Sequence, residues 1–358
     1  MTTAITQLVQ EKIAAVFGAK QNLLALAPLA GDASSRRYYR ASLSGSQGPT
    51  SIIVMELPAG SALPLSSEEL AIFKDGPKEL PFLNVHRFLE RIGVAVPKLY
   101  GQWQSDGLLL LEDLGDCALW DRVQGTTEAE TLGWYRKAID ELLKLHVRGT
   151  ESRDDSCIAF QQRFDRKLYL WEFEHFIEWG LVKRPGVEVS AATIATLRNA
   201  FAAIATVLDH QPPCLNHRDF HSWNLMVRED AIRVIDFQDA LLAPPQYDLA
   251  SLLNDRITDS VVKPALEDAL IRYYIETKHD LERRAIDRDQ FCEIYRLSVI
   301  QRDLKVVGRF YYLDLVKGKP GYKKFIPPTV RRLKKNLALT AQTEDLLPLL
   351  ENHFEAML

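Results

Sequence analysis

From residue 23 to about 114 the apolar positions come in short blocks rich in β-branched, aromatic and leucine residues: RRYYRASL, SIIVMELP and GLLLLEDL. Gly, Ser and Pro separate them, and such blocks between turn formers predict strands. One segment in this stretch keeps a different period. In FLNVHRFLERIG the apolar residues Phe82, Val85, Leu89 and Ile92 recur in steps of three and four, the spacing of one helix face. After Gly115 the helical period takes over. GWYRKAIDELLKLH sets Tyr135, Ala138, Ile139, Leu142 and Leu145 on one stripe. RFDRKLYLWEFEHFIEWG, ATIATLRNAFAAIATVLDH and most of the chain beyond 245 continue in the same way. The N-terminal MTTAITQLVQEKIAAVFG predicts a short amphipathic helix, since Glu11 and Lys12 interrupt the apolar core a signal peptide needs. The pattern predicts an α+β chain in two lobes. A small β-rich lobe covers 1–114, a larger, mainly helical lobe covers 115–358, and a hinge lies at about 111–116.

The helical lobe is interrupted once, by NHRDFHSWNLMV (216–227). LMV and IRVID are short β-type runs joined by RED, which predicts a hairpin. A polar cluster precedes the first strand and IDFQDA closes the second, so the hairpin carries Asn224 and Asp236 towards each other. The spacing H-R-D-x-x-x-x-N is that of a kinase catalytic loop. Phosphoryl transfer asks a protein for metal on the phosphates, an aligned acceptor hydroxyl and stabilised charge, with little covalent help. Mg²⁺ takes hard oxygen ligands and few protein contacts, which Asn224 and Asp236 can supply. Asp219 then orients the hydroxyl and takes its proton, and His217 braces the loop through hydrogen bonds to backbone. A polar surface turn capped by Asp219 and Asn224 would explain the loop letters. It would not explain the hairpin or the D-F pair at its far end.

These residues resemble the aminoglycoside-phosphotransferase and choline-kinase superfamily, whose fold is protein-kinase-like and bilobal. Within it the chain is most similar to bacterial anomeric sugar kinases that phosphorylate N-acetylmuramate and N-acetylglucosamine at C1 in cell-wall (peptidoglycan) recycling. The resemblance rests on GDASSRRYYR (31–40), LLLLEDLGD (108–116), FDRKLYLWEFEHFIEWGL (164–181), NHRDFHSWNLMV (216–227), VIDFQDALLAPPQYDLASLL (234–253) and QRDLKVVGRF (301–310). The catalytic motifs belong to the whole superfamily. The stretches at 164–181, 234–253 and 301–310 carry the sugar-kinase resemblance.

That resemblance implies a set of roles. Asp219 is the catalytic base, with Asn224 and Asp236 on Mg²⁺ and Asp248 supporting the loop from the following helix. The backbone of Glu112, Asp113 and Leu114 binds the adenine of ATP, or the guanine of GTP. Asp32, Ala33, Ser34 and Ser35 cover the phosphates, their small polar side chains allowing close backbone approach. The third strand, SIIVMELP, lacks the lysine that usually grips the phosphates, and Arg36 or Arg37 is the expected substitute. Trp223 stands where these sugar kinases more often carry arginine, and either stacks on a sugar face or packs on the lobe. Glu174, Trp179 and Gln238 are candidates for the acceptor wall. Glu90 either braces an arginine of the phosphate loop or faces solvent.

Composition changes this picture only at the edges. Of 358 residues, 26% are charged with a net charge of -4, which argues against a general nucleic-acid binder. Cys117, Cys157, Cys214 and Cys292 show no metal-ligand spacing and predict reduced thiols. No run reaches the ~18 apolar residues of a membrane span, so a cytoplasmic enzyme acting as a monomer is expected. The segment from Lys317 to Lys335 holds eight Lys or Arg and no acid, and predicts a solvated face. With Arg302, Lys305 and Arg309 it favours a neutral or anionic acceptor, Arg302 and Lys305 being the expected partners of a lactyl carboxylate. The alternatives are phosphorylation of an aminoglycoside or another small alcohol, and a kinase-like binding protein without turnover.

Overall fold

The computed structural model describes residues 3–29, 36–45, 48–58, 79–343 and 345–358. The three predicted strand blocks are β2 (Arg37–Ser44), β3 (Ser51–Glu56) and β5 (Leu108–Glu112), joined by β1 (Asn22–Pro28) and β4 (Leu99–Trp103). They form one antiparallel sheet in the order β1-β2-β3-β5-β4. The two unforeseen strands are its edges. There β1 is largely exposed and β4, LYGQW, has little apolar alternation to read.

Alternation in the central strands gives the sheet two apolar faces. Tyr39, Ala41, Ile52, Val54, Leu108 and Leu110 face the N-terminal helix α1 (Thr3–Phe17), which buries Val9 and Ile13 against them. Met55, Leu109 and Leu111 point the other way, towards α2 (Pro81–Arg91) and its Phe82, Val85 and Leu89. This second core does not stop at the sheet. It runs on into the helical region through Ile139 and Leu142 of α4 (Glu128–Leu143), Phe237 and Leu249. Thr127 starts α4 with a capping box, its hydroxyl accepting from Glu130 N–H while the Glu130 carboxylate accepts from Thr127 N–H at 2.9 Å.

Between β5 and α4 lies the short α3 (Leu119–Arg122). Helix α4 continues through a wide π-turn, Lys144–Arg148. Helix α5 (Arg166–His175), capped by Asp165, ends in a second such turn, Phe176–Val182, and α6 (Ala191–Asp209) packs against it. Strands β6 (Cys214–Asn216) and β9 (Leu241–Ala243) pair with each other, and β7 (Leu225–Arg228) and β8 (Ala231–Val234) form the predicted hairpin. Its turn residues Glu229 and Asp230 both have positive φ, 49° and 64°, the twist that a two-residue hairpin connection favours. The remainder is helical: α7 (Pro245–Asn254), α8 (Pro264–Glu282), α9 (Arg288–Leu315), α10 (Ile326–Ala338) and α11 (Leu346–Glu355). Helix α9 is the axis of this region and contacts α5, α7, α10 and the second π-turn.

Two sequence expectations need correction here. Ala191–Asp209 is long and apolar enough to cross a membrane by length and composition, with a mean hydropathy of 1.5, although no such run was expected. Its apolar character is largely alanine, and Leu197, Phe201, Ile204 and Leu208 pack into the helical core. The basic stretch is not wholly solvated either. Arg332 is buried and clasps Asp303 with two hydrogen bonds of 3.0 and 2.6 Å, because its place on α10 turns it inward against α9.

Candidate active site

The loop after β6 is fixed from several directions. Asn216 donates to the Ala243 carbonyl at 2.8 Å, tying the strand end to β9. The fully buried Asp248, in the first turn of α7, accepts the backbone N–H groups of His217 and, at 2.9 Å, Arg218. His217 places Nε2 2.8 Å from the Ile235 carbonyl, while its Nδ1 accepts the Asp219 N–H at 3.3 Å. That pair of contacts puts the ring proton on Nε2. Arg218 takes a left-handed φ of 81°, a conformation that persists only where the surroundings enforce it. The outcome is that Asp219, whose side chain is 40% exposed, stands on a backbone with little freedom.

The hairpin does what its pattern predicts. Asn224 Nδ2 donates to the Asp219 carbonyl at 3.0 Å, and the Asn224 carbonyl accepts from Ile235 N–H at 3.0 Å. Asp236 therefore follows directly on the residue opposite Asn224. It has a φ of 64°, and Gln238 holds its Oδ1 at 2.8 Å. One carboxylate and one amide oxygen, both hard ligands, fit a Mg²⁺ ion that takes its other ligands from phosphate and water.

Beneath Asp219 lies a compact charge network. Arg302 of α9 donates to the Arg218 carbonyl at 2.8 Å and sits 3.5 Å from Asp219 and 3.4 Å from Asp255. Arg218 and Lys305 each reach Glu172 at 3.2 Å, and Gln301 donates to the same carboxylate at 2.6 Å. Burial works against a charge on Asp219. The Lys305, Arg302 and Arg218 cations outweigh it and hold the carboxyl well below the usual carboxylate range. Burial pushes Asp239 the other way, to about 7, with Asp236 and Asp219 adding to the effect against Arg218.

This arrangement can be set beside known proteins. The model of the phosphotransferase enzyme family matches residues 25–286, most of the chain and all of the loop-and-hairpin unit. The chain belongs to that family. An N-acetylmuramate/N-acetylglucosamine kinase of Pseudomonas aeruginosa is 30% identical over 330 residues, covering 91% of this chain and 87% of the relative. One of the same name from Caulobacter vibrioides is 30% identical, with 84% of each covered. Among solved structures, an ADP-bound aminoglycoside phosphotransferase has a TM-score of 0.59 at 16% identity, covering 96% of this chain and 99% of that one. A choline kinase of Streptococcus pneumoniae has 0.57 at 14%, covering 94% and 98%. The fold of this phosphotransferase is accordingly protein-kinase-like, a small antiparallel sheet over a helical lobe.

The remaining expected site residues divide. Asp32, Ala33, Ser34 and Ser35 lie outside the described residues. The two candidate arginines point differently. Arg37 is exposed and pairs with Glu56 at 3.3 Å, whereas Arg36 hydrogen-bonds Tyr38 and acts electrostatically on Asp239. At the hinge, Arg40 bridges Asp113 and Asp116, both at 2.8 Å, from the sheet side. Arg228 engages the Glu112 carboxylate at 3.1 Å and the Asp113 carbonyl from the helical side. Leu114 N–H and C=O make no hydrogen bond among the described residues. Glu90 is exposed.

Three acceptor expectations change. Arg302 and Lys305 are 4% and 9% exposed and already paired with Asp219, Asp255 and Glu172, so they lie beneath the Asp219 carboxylate rather than open on an acceptor wall. Glu174 is turned outward into a two-point pair with Arg198, at 2.7 and 2.8 Å. Gln238 is 5% exposed and donates its amide N–H to Asp236. Trp179 packs edge-on to Tyr312 at 5.1 Å, and Trp223 stacks on Trp120 at 4.7 Å. Sequence reasoning missed Glu172, Asp239, Asp255 and Arg40. Glu172 was discoverable, since it falls four after Leu168 and three after Tyr169, on the buried stripe of α5. Asp239 lay inside the quoted IDFQDA. Arg40 carries no local signal, because its partners Asp113 and Asp116 are distant in the chain, and the contact of Asp255 with Arg302 is likewise remote in sequence.

Proposed function

We propose that this phosphotransferase is a Mg²⁺- and ATP-dependent sugar kinase that phosphorylates the anomeric hydroxyl of N-acetylmuramate or N-acetylglucosamine. The observation that carries the chemistry is Asp219, exposed to the cleft and held ionised by the cations behind it, next to Asn224 and Asp236. The relatives named for these two sugars, alike over most of both chains, select the acceptor. In this reading the enzyme works in the cytoplasm as a single chain and returns cell-wall sugars to metabolism. GTP is the alternative donor.

Each residue has a stated task. Asp219 accepts a hydrogen bond from the acceptor hydroxyl, aims its oxygen and receives its proton as that oxygen bonds to the γ-phosphorus and the bond from phosphorus to the departing ADP breaks. A carboxylate held well below its usual range is a weak base, so it suits a hydroxyl more acidic than an ordinary alcohol. The anomeric hydroxyl is such a group. Asn224 and Asp236 would hold Mg²⁺, which neutralises charge on the transferring phosphates. Arg36, just ahead of β2, reaches the same phosphates in place of the strand-three lysine. The Leu114 backbone takes the purine. Asp248 and His217 keep the loop backbone in place.

The test is product analysis. The full chain is incubated with ATP, Mg²⁺ and each sugar and followed by phosphorus NMR. The expected product is an acid-labile sugar 1-phosphate whose phosphorus couples to the anomeric proton. Phosphate on C6, or turnover only with kanamycin-like amines, sends the reading to another branch of the family.

A further inference from the structure

Beside the catalytic loop lies a cavity of about 360 Å³, lined by Trp120, Trp223, Ile257, Lys324 and Phe325. That is within the size range of small-ligand sites. Its walls are mostly aromatic, yet two cations attend it. The Arg256 guanidinium lies 4.7 Å from the Trp223 ring and 5.5 Å from Phe325, and the exposed Lys324 Nζ lies 5.0 Å from Phe325. We propose that this cavity is the subsite for a carboxylate carried by the acceptor sugar, with Arg256 and Lys324 as its anion-binding pair, and that it gives the enzyme a preference for an acidic N-acetylated sugar over a neutral one. The proposal rests on the acceptor reading above and names the specificity determinant of that same site.

Charge counting around the loop supports it. The buried cations Arg218, Arg302 and Lys305 pair with Asp219, Asp255 and Glu172, and Asp248 and Asp239 act on them as well. Arg256 has only a 3.4 Å share of Asp255, which lies equally close to Arg302. Lys324 has no acidic partner among the described residues. The positive charge at the cavity is thus Lys324 and an Arg256 that holds only part of one carboxylate.

Arg256 is also held in place at a cost. Its φ of 46° is left-handed, a region a residue with a long side chain enters only when the surroundings enforce it. The enforcement is visible: Arg332 donates to the Arg256 carbonyl at 3.1 Å and is itself locked to Asp303. A buried ion pair thus sets the direction of Arg256, between Trp223 and Phe325.

The cavity is also coupled to the chemistry. Trp223 belongs to the catalytic loop, four residues after Asp219 and one before Asn224. The wall residue Trp120 donates its N–H to the Ser222 carbonyl at 3.2 Å. Arg302 joins Asp219, at 3.5 Å, to Asp255, at 3.4 Å, and Asp255 in turn pairs with Arg256 at 3.4 Å, so a run of charge contacts links the Asp219 carboxylate to the guanidinium at the cavity. An ether-linked propionate fits the cavity walls in both of its parts. Its methyl group has Ile257 and Phe325 to rest on, and its carboxylate meets a guanidinium, whose planar fork matches two oxygens. A polycationic acceptor meets repulsion at the same place.

The quantity to measure is the ratio of kcat/KM for N-acetylmuramate to that for N-acetylglucosamine, with the full chain. Arg256→Met and Lys324→Met are each expected to lower this ratio about ten-fold or more, chiefly through the KM of the acidic sugar, as for loss of a charge-assisted contact. Lys324→Arg should retain it. Lys324 is exposed, so its variants are readable even if Arg256→Met folds poorly. A ratio unchanged in both Lys324→Met and a folded Arg256→Met overturns the subsite while leaving the acceptor reading in place. A parent enzyme that phosphorylates neither sugar overturns the acceptor reading, and the subsite with it.

Discussion

Single side chains decide most of what this site can do, and the two arginines at the start of β2 make the point. Arg36 and Arg37 are adjacent, yet Arg36 lies just ahead of β2 and Arg37 opens it, and the two side chains meet different partners. Arg37 ends in an exposed pair with Glu56, of the kind worth at most about 1 kcal/mol. Arg36 turns to Tyr38 and the acidic side of the cleft. Arg36→Met is therefore expected to lower kcat/KM for the nucleotide about ten-fold or more, while Arg37→Met stays within about two-fold. Equal effects from both would mean that backbone and metal alone hold the phosphates. Asp236→Ala tests the metal. Calorimetry with ATP, with and without Mg²⁺, should show the metal-dependent part of binding lost, because one amide oxygen cannot hold the ion by itself. A variant that keeps its metal dependence sinks the assignment. Asp219, Asn224 and Asp236 were legible in the sequence because spacing in a loop and hairpin is local. Arg302 and Lys305 were legible as charges but not as to what they touch. One-letter code shows that α9 carries QRDLK; it does not show that these side chains face inward, onto the catalytic loop.

At the scale of elements, the second half of α4 offers a pH-dependent consequence. Its π-turn carries His146 into the core, where Nδ1 is 2.7 Å from the Tyr274 hydroxyl and Nε2 is 3.6 Å from the loop-supporting Asp248. Burial lowers its pKa, although Asp248 pulls the other way. In the unfolded chain the imidazole takes a proton near 6.5, and in the fold only below that. Between those two values the unfolded state binds more protons, so stability falls as the pH falls. The thermal midpoint should drop more steeply from pH 7 to 5.5 in the parent than in His146→Gln. Identical slopes would clear His146 of this role. The element itself was easy to foresee: Tyr135, Ala138, Ile139, Leu142 and Leu145 are all buried as the period predicts. Its wide turn was not, since nothing in KLHVR distinguishes a π-turn from another α-turn. The edge strands β1 and β4 escaped for the opposite reason. Half-solvated edges need no strict alternation, so they leave no pattern.

Across the whole molecule the boundary between lobes is clearer in the sequence than in the packing. The last strand of the sheet ends at Glu112 and helices follow, and Arg40 and Arg228 engage residues 112–116 from two sides. Yet Met55, Leu109 and Leu111 of the sheet share one core with α2, α4 and Phe237. Cutting the chain after residue 114 would leave that apolar face of the sheet without its cover. The first 114 residues expressed alone are accordingly expected to aggregate, and the intact chain to melt in one calorimetric transition. Two well-separated transitions would show that the shared core does not couple the halves. One melting unit has a practical meaning for whatever enters the cleft. A ligand at one hundred times its Kd adds about 2.7 kcal/mol to the stability of everything that unfolds with its site. Through the core beneath the hinge that sum is delivered to the entire polypeptide, so the chain reports the filling of its cleft by the temperature at which it comes apart.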